Sequence, residues 1–205
     1  MHINELFCGW EWWTLGVIAL TIALLLTACG FLEPRAPERT FTPGELLIDQ
    51  GILPRGWKLT GPSFPAGDTL CTRESAWIGY TVTDEQRSIR GGTHSVYRHQ
   101  SVWIAHRTFD RVYLAMARSL DPVSEWKYQS QIAEQSHFGC DNTGGGVDVY
   151  CEWGGQYEEY IVVFGARVAP GEVSSASIEQ IEEVVKAIDE RMAEYLEKSS
   201  EETGG

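Results

Sequence analysis

The sequence predicts an α+β domain, with an antiparallel sheet of about five strands and helices packed on it. Three observations carry this. Runs of β-branched and aromatic residues, such as "AWIGYTV" at 76–82, lie between Gly- and Pro-containing stretches. A helical stripe separates the early strands from a late strand pair, and a second stripe ends the chain. Within the late pair, Tyr160, Val162, Phe164, Ala166 and Val168 share one face while Ile161 and Val163 share the other, as in a central strand covered on both sides.

The first element is an uncharged run from Trp12 to Leu32, between Glu11 and Glu33. A bilayer span needs about 20 apolar residues, so the run fits a transmembrane helix. Its most apolar part, Leu15 to Leu26, also fits a secretory signal, with an apolar centre of about 7–15 residues followed by small ones. Leu26-Thr27-Ala28-Cys29 resembles the lipobox of bacterial lipoproteins: an aliphatic residue, two small ones, then a cysteine. The resemblance implies that Cys29 receives a diacylglycerol and becomes the N-terminus once residues 1–28 are removed. Those residues depart from a signal peptide in having no Lys or Arg. They carry Glu5, Glu11 and a cluster of Trp10, Trp12 and Trp13, and the first basic residues, Arg35 and Arg39, follow the run. Taken literally, that charge order places the domain in the cytoplasm; it also suits a retained helix with interfacial tryptophans. Both the lipoprotein and the retained-helix readings attach the domain to a membrane. One acyl chain, at roughly 0.8 kcal/mol per buried CH₂, binds only marginally, and the two or more chains of a lipoprotein cysteine hold.

Residues 29–44, with Pro34, Pro37 and Pro43 among charges, read as the lipidated cysteine and an extended tether. Residues 45–198 read as one extracytoplasmic domain, and 199–205 as a disordered polar tail. In the domain, Glu45 to Ile52 is a short amphipathic piece, and "PRGWKLTG" at 54–61 begins the strands. Gly91-Gly92 reads as a turn, and Ser95 to Arg107 as a strand broken midway. Phe109, Val112, Tyr113, Met116 and Leu120 have helical spacing, with Thr108 or Asp110 as cap and Pro122 beyond the end. Residues 123–139 have no decisive pattern. Val147–Trp153 and Tyr157–Val168 form the late strand pair. The last helix has the clearest stripe, Ile178, Ile181, Val184, Val185, Ile188, Met192, Tyr195 and Leu196. Ser177 with Gln180 fits a capping box, and Glu182–Lys186 and Glu194–Lys198 have the favourable i,i+4 order.

Charge and cysteines bound the function. The net charge is −13, and −11 once residues 1–28 with Glu5 and Glu11 are gone. An acidic domain is repelled by nucleic acid and by anionic lipid headgroups, and nucleic acid is excluded as a partner. Besides Cys8 and Cys29, the cysteines are Cys71, Cys140 and Cys151. Cys140 and Cys151 flank a Gly144-Gly145-Gly146 turn and form the candidate disulfide of an oxidising compartment, with a pairing to Cys71 left open. This layout is similar to the PsbP-like lipoproteins of actinobacteria. It is also similar to the extracellular sensor domains of mycobacterial serine/threonine kinases, whose resemblance includes a short-spaced cysteine pair late in the domain. Both cover most of the chain after residue 28. They imply accessory or ligand-sensing roles and identify no residues.

No residues combine into a catalytic motif, and neither a cofactor nor a metal is expected. Glu158 and Glu159, adjacent on the expected strand, point to opposite faces and read as solvated. His94, His99 and His106 lack ligand spacing. Asp141, Asn142 and Asp148 suit calcium by residue type but do not follow an EF-hand pattern. Of Trp57, Trp77, Trp103, Trp126 and Trp153, most belong in a core; Trp126 and Trp153, set among polar residues and glycines, are the binding-surface candidates. The expected role is a membrane-attached, non-catalytic ligand-binding domain or accessory subunit of a membrane complex, with the membrane and a protein as partners. Two alternatives remain: an envelope hydrolase, marked by a cleft with His99 or His106 beside a carboxylate, and a structural subunit held by an uncleaved helix.

Overall fold

A computed structural model describes residues 34–63, 72–83, 88–114, 120–141, 149–168 and 176–203. Cys29, Cys71, Asn142 and Asp148 lie outside the described residues. Contacts divide the chain between Pro34 and Arg35, and the body is the unit from Arg35 onward. Among the described residues, no helix is long and apolar enough to cross a membrane.

The body is α+β, as the periodicities predict, with six strands among the described residues. These are β1 (Trp57–Leu59), β2 (Thr72–Thr83), β3 (Ser88–His99), β4 (Gln135–Asp141), β5 (Val149–Tyr157) and β6 (Tyr160–Val168). They form one antiparallel sheet in the order β1-β2-β3-β6-β5-β4. Among the described residues two helices flank it: α1 (Val102–Thr108), which runs on into a π-helical turn at Phe109–Tyr113, and the long α2 (Ile178–Thr203).

Pleating sends alternate residues to two unlike faces. The first face is a closed core. Ala76, Ile78, Tyr80, Val96, Val162, Phe164, Ala166, Trp153 and Phe138 are buried there, under Ile181, Val184, Val185, Ile188 and Met192 of α2. The capping box opens α2 as expected: the Ser177 N–H donates to Gln180 and the Gln180 N–H to the Ser177 hydroxyl, at 3.0 and 3.2 Å. Phe41, Leu46, Leu47, Ile48, Leu53 and Trp57 close the same face. Trp57, Tyr80 and Phe164 stack in series at 4.8 and 5.4 Å, and the Tyr80 hydroxyl donates to the Gly165 carbonyl at 2.6 Å.

That last contact explains Gly91-Gly92, which is not a turn but part of β3. The Tyr80 ring lies across β3 to reach β6. A Cβ on Gly92 would stand 1.8 Å from the Gly165 carbonyl oxygen and 2.3 Å from the Tyr80 hydroxyl. The strand expected over Ser95–Arg107 also ends early, at His99. From Ser101 the chain is helical, the Ser101 hydroxyl accepting from the Ile104 N–H at 3.2 Å.

Two boundaries move. The expected tether is packed from Ala36 onward: the Ala36 N–H donates to the Gln100 carbonyl at 2.8 Å, and Phe41 stacks on Tyr160. The expected tail begins inside α2, where Ser199 is buried and accepts from Arg39. The ambiguous 123–139 stretch contains the start of β4, with Phe138 buried.

Candidate functional site

The β5–β6 turn corrects the reading of Glu158 and Glu159. The hairpin closes at the Tyr157–Tyr160 pair, so both glutamates are turn residues, Glu158 with φ +48°. That geometry frees them from strand alternation, and both reach the same guanidinium. Glu159, fully buried, takes Arg39 in a two-pronged pair at 2.9 and 2.9 Å; Glu158, half exposed, pairs with the same Arg39. Arg98 completes the cluster, 3.5 Å from Glu159 and 3.5 Å from Glu74, and donates to the Pro37 carbonyl at 2.6 Å. The Glu159 bonds, more than its charge alone, hold the Arg39 guanidinium above its ordinary value. Charges this buried persist only when paired. The cluster fastens the chain at residues 36–39 to the sheet, and both its arginines are consumed in doing so.

Of the two aromatic candidates, Trp153 moves into the core and Trp126 is half-buried. Trp153 is 1% exposed, in the core, and Trp126 is stacked on Phe138 at 3.9 Å. Among the described tryptophans the most exposed is Trp103, 39% exposed on α1 beside Val102. Its signal was in the sequence: Ser101 precedes Ala105 and Phe109 at helical spacing, but Val, Trp and Ile in the same run read as strand. The Arg107 guanidinium lies over its ring at 4.9 Å, and His106 pairs with Asp110 at 3.1 Å. With Arg111 these line an open depression on the helix surface. The His106–Asp110 pair is half exposed on that open surface, not in a cleft.

Among the described residues the second face of the sheet is only partly covered. Ala105 and Phe109 pack on Ile161, with Tyr97, Tyr113 and Val163 around them. Beyond that small core the pleat aligns Trp77 of β2, Ser95 and Thr93 of β3, Gly165 of β6 and Glu152 of β5, through the pairs Trp77↔Ser95, Thr93↔Gly165 and Glu152↔Gly165. Tyr150 lies across Gly165 and bonds Thr93; a Cβ on Gly165 would stand 1.8 Å from its hydroxyl. Burial raises the Glu152 carboxyl above its usual value. Trp77 and Glu152 stay partly exposed and Tyr150 exposed on this part of the face.

The remaining histidines are structural or spread apart. His94 is buried on the first face, its Nδ1 accepting from the Ile48 N–H at 3.0 Å. His99 is buried at the end of β3, where its N–H donates to the Glu159 carbonyl at 2.8 Å. Among the described residues no three His, Cys, Asp or Glu side chains are placed to hold a metal ion. Cys140 and Cys151 are directly paired across β4 and β5 and are disulfide-bonded. No family model, curated protein or solved structure matches the chain.

Proposed function

We propose that this chain is a membrane-anchored lipoprotein whose domain is a non-catalytic binding or accessory module on the extracytoplasmic side. The observation that carries the binding role is the contrast between the two sheet faces. One is sealed by α2; the other leaves Trp77, Tyr150 and Glu152 half open beside α1. Leu26-Thr27-Ala28-Cys29 supports the lipid anchor, and the Cys140–Cys151 bond suits an oxidising compartment.

Two experiments test this reading. In Cys29→Ala, a lipid anchor predicts loss of the protein from the membrane fraction. Full retention favours the second reading, a structural subunit held by the uncleaved Trp12–Leu32 run, whose lack of flanking Lys or Arg on its N-terminal side supports it. For binding, a photo-crosslinker at Tyr150 should capture a discrete envelope component that one at Glu194, on the outer surface of α2, does not. Equal capture at both positions contradicts the second-face site.

A further inference from the structure

We infer that the outer surface of α1 and the π-helical turn rests on the lipid headgroups of the membrane that anchors the chain. This rests on the membrane-anchored reading above, for either form of anchor.

The first argument is where the chain joins the body. Ala36 is bonded to Gln100, two residues before Val102, the first residue of α1. Arg39 is locked to Glu158 and Glu159, and Arg98 to Pro37, so this junction does not swing. Six residues separate Cys29 from Ala36, and the seven steps between them reach at most about 25 Å even fully extended. An anchor at Cys29 therefore holds the α1 end of the domain near the bilayer.

The second argument is chemical. Val102, Trp103 and Val112 are 37, 39 and 46% exposed. Trp103 carries Arg107 on its ring, and Arg111 follows one turn on. An amphipathic ring with basic neighbours is the combination that settles at headgroup level over anionic lipid. Among the residues lining the depression, Arg107 and Arg111 outweigh Asp110, so the patch is locally positive in a chain of net charge −13. The opposite side of the sheet is the reverse: α2 turns Glu179, Glu183, Glu190, Glu194 and Glu197 to solvent. An anionic surface attracts one side and repels the other, which sets the orientation.

The test uses the full protein extracted from its native membrane and reconstituted into vesicles of phosphatidylethanolamine and phosphatidylglycerol brominated near the headgroup. The difference in fluorescence between the native chain and Trp103→Phe isolates Trp103. The inference predicts that the Trp103 component is quenched by bromolipid and shielded from aqueous acrylamide. In Arg107→Glu/Arg111→Glu it regains acrylamide access while the protein stays on the vesicles. A Trp103 component that stays open to acrylamide in vesicle-retained native protein overturns the inference alone and leaves the patch to a protein. Protein that does not stay on the vesicles overturns the anchored reading and this inference with it.

Discussion

Glu159 shows how one residue decides a local structure. Its carboxylate is fully buried between Arg39 and Arg98, so Glu159→Gln leaves two guanidinium groups short of charge. A loss of about 3 kcal/mol in urea unfolding is expected, against about 1 kcal/mol or less for Glu158→Gln at the half-exposed neighbour. Equal costs would show that burial does not set the strength of the pair. His94 supplies a pH effect. Burial, helped by Arg191, pushes its pKa down to about 3 from 6.5. The folded state thus holds it neutral, while the unfolded chain takes up a proton below about pH 6.5. Its contribution is complete above that pH and is lost progressively toward pH 3, on the order of 5 kcal/mol in all. His94→Gln, whose amide oxygen can still accept from Ile48, should be less stable than the native protein at pH 7 and lose less on acidification. Parallel pH profiles would contradict this. Neither residue's role was legible in the sequence, because each depends on partners far along the chain. Arg39 lies 120 positions from Glu159, and Ile48 lies 46 from His94.

At the scale of elements, legibility follows how local the determinants are. The α2 stripe and its capping box involve residues three or four apart, and both form as expected. The β6 pattern likewise places the strand in the middle of the sheet, covered on both sides. Gly91-Gly92 misled because turns are the usual reason for paired glycines, whereas here β2 places the Tyr80 ring over β3. The same steric logic gives a graded prediction. Gly92→Ala meets a backbone carbonyl of β6 that cannot move away, and should cost well over the roughly 3 kcal/mol of ordinary overpacking or prevent folding. Gly165→Ala meets the end of the Tyr150 side chain, a group that can swing aside, and should cost about 1–2 kcal/mol. Most of that loss should vanish when Tyr150→Ala is combined with it; full additivity of the two changes would rule out the contact. The Cys140–Cys151 bond closes a loop of eleven residues between paired strands. Replacing both cysteines with serine should remove about 3 kcal/mol in the chain-entropy view, a fall in Tm of roughly 6–12 °C. An unchanged Tm would show that β4 and β5 hold without it.

At the scale of the whole molecule, the sheet is a partition between a sealed acidic side and a half-open side with a basic, aromatic helix. The sequence reports the total charge but not this division, which arises only when α1 and α2 pack on opposite faces. It also concealed that the presumed tether is structure. Proline and charge favour extension, but Arg39 and Phe41 each find buried partners that composition does not reveal. Releasing that segment with Arg39→Ala should open the 36–41 stretch to limited proteolysis while α2 stays protected; unchanged cleavage would mean that Phe41 alone holds it. The proposed function attaches the body to a membrane surface through an N-terminal anchor, and the intact mass of the protein extracted from its native membrane in mild detergent tests that anchor most directly. The account predicts a chain beginning at Cys29 with the added mass of a diacylglycerol. A mass that includes residues 1–28 and no lipid would contradict the lipoprotein reading and make the Trp12–Leu32 run the anchor.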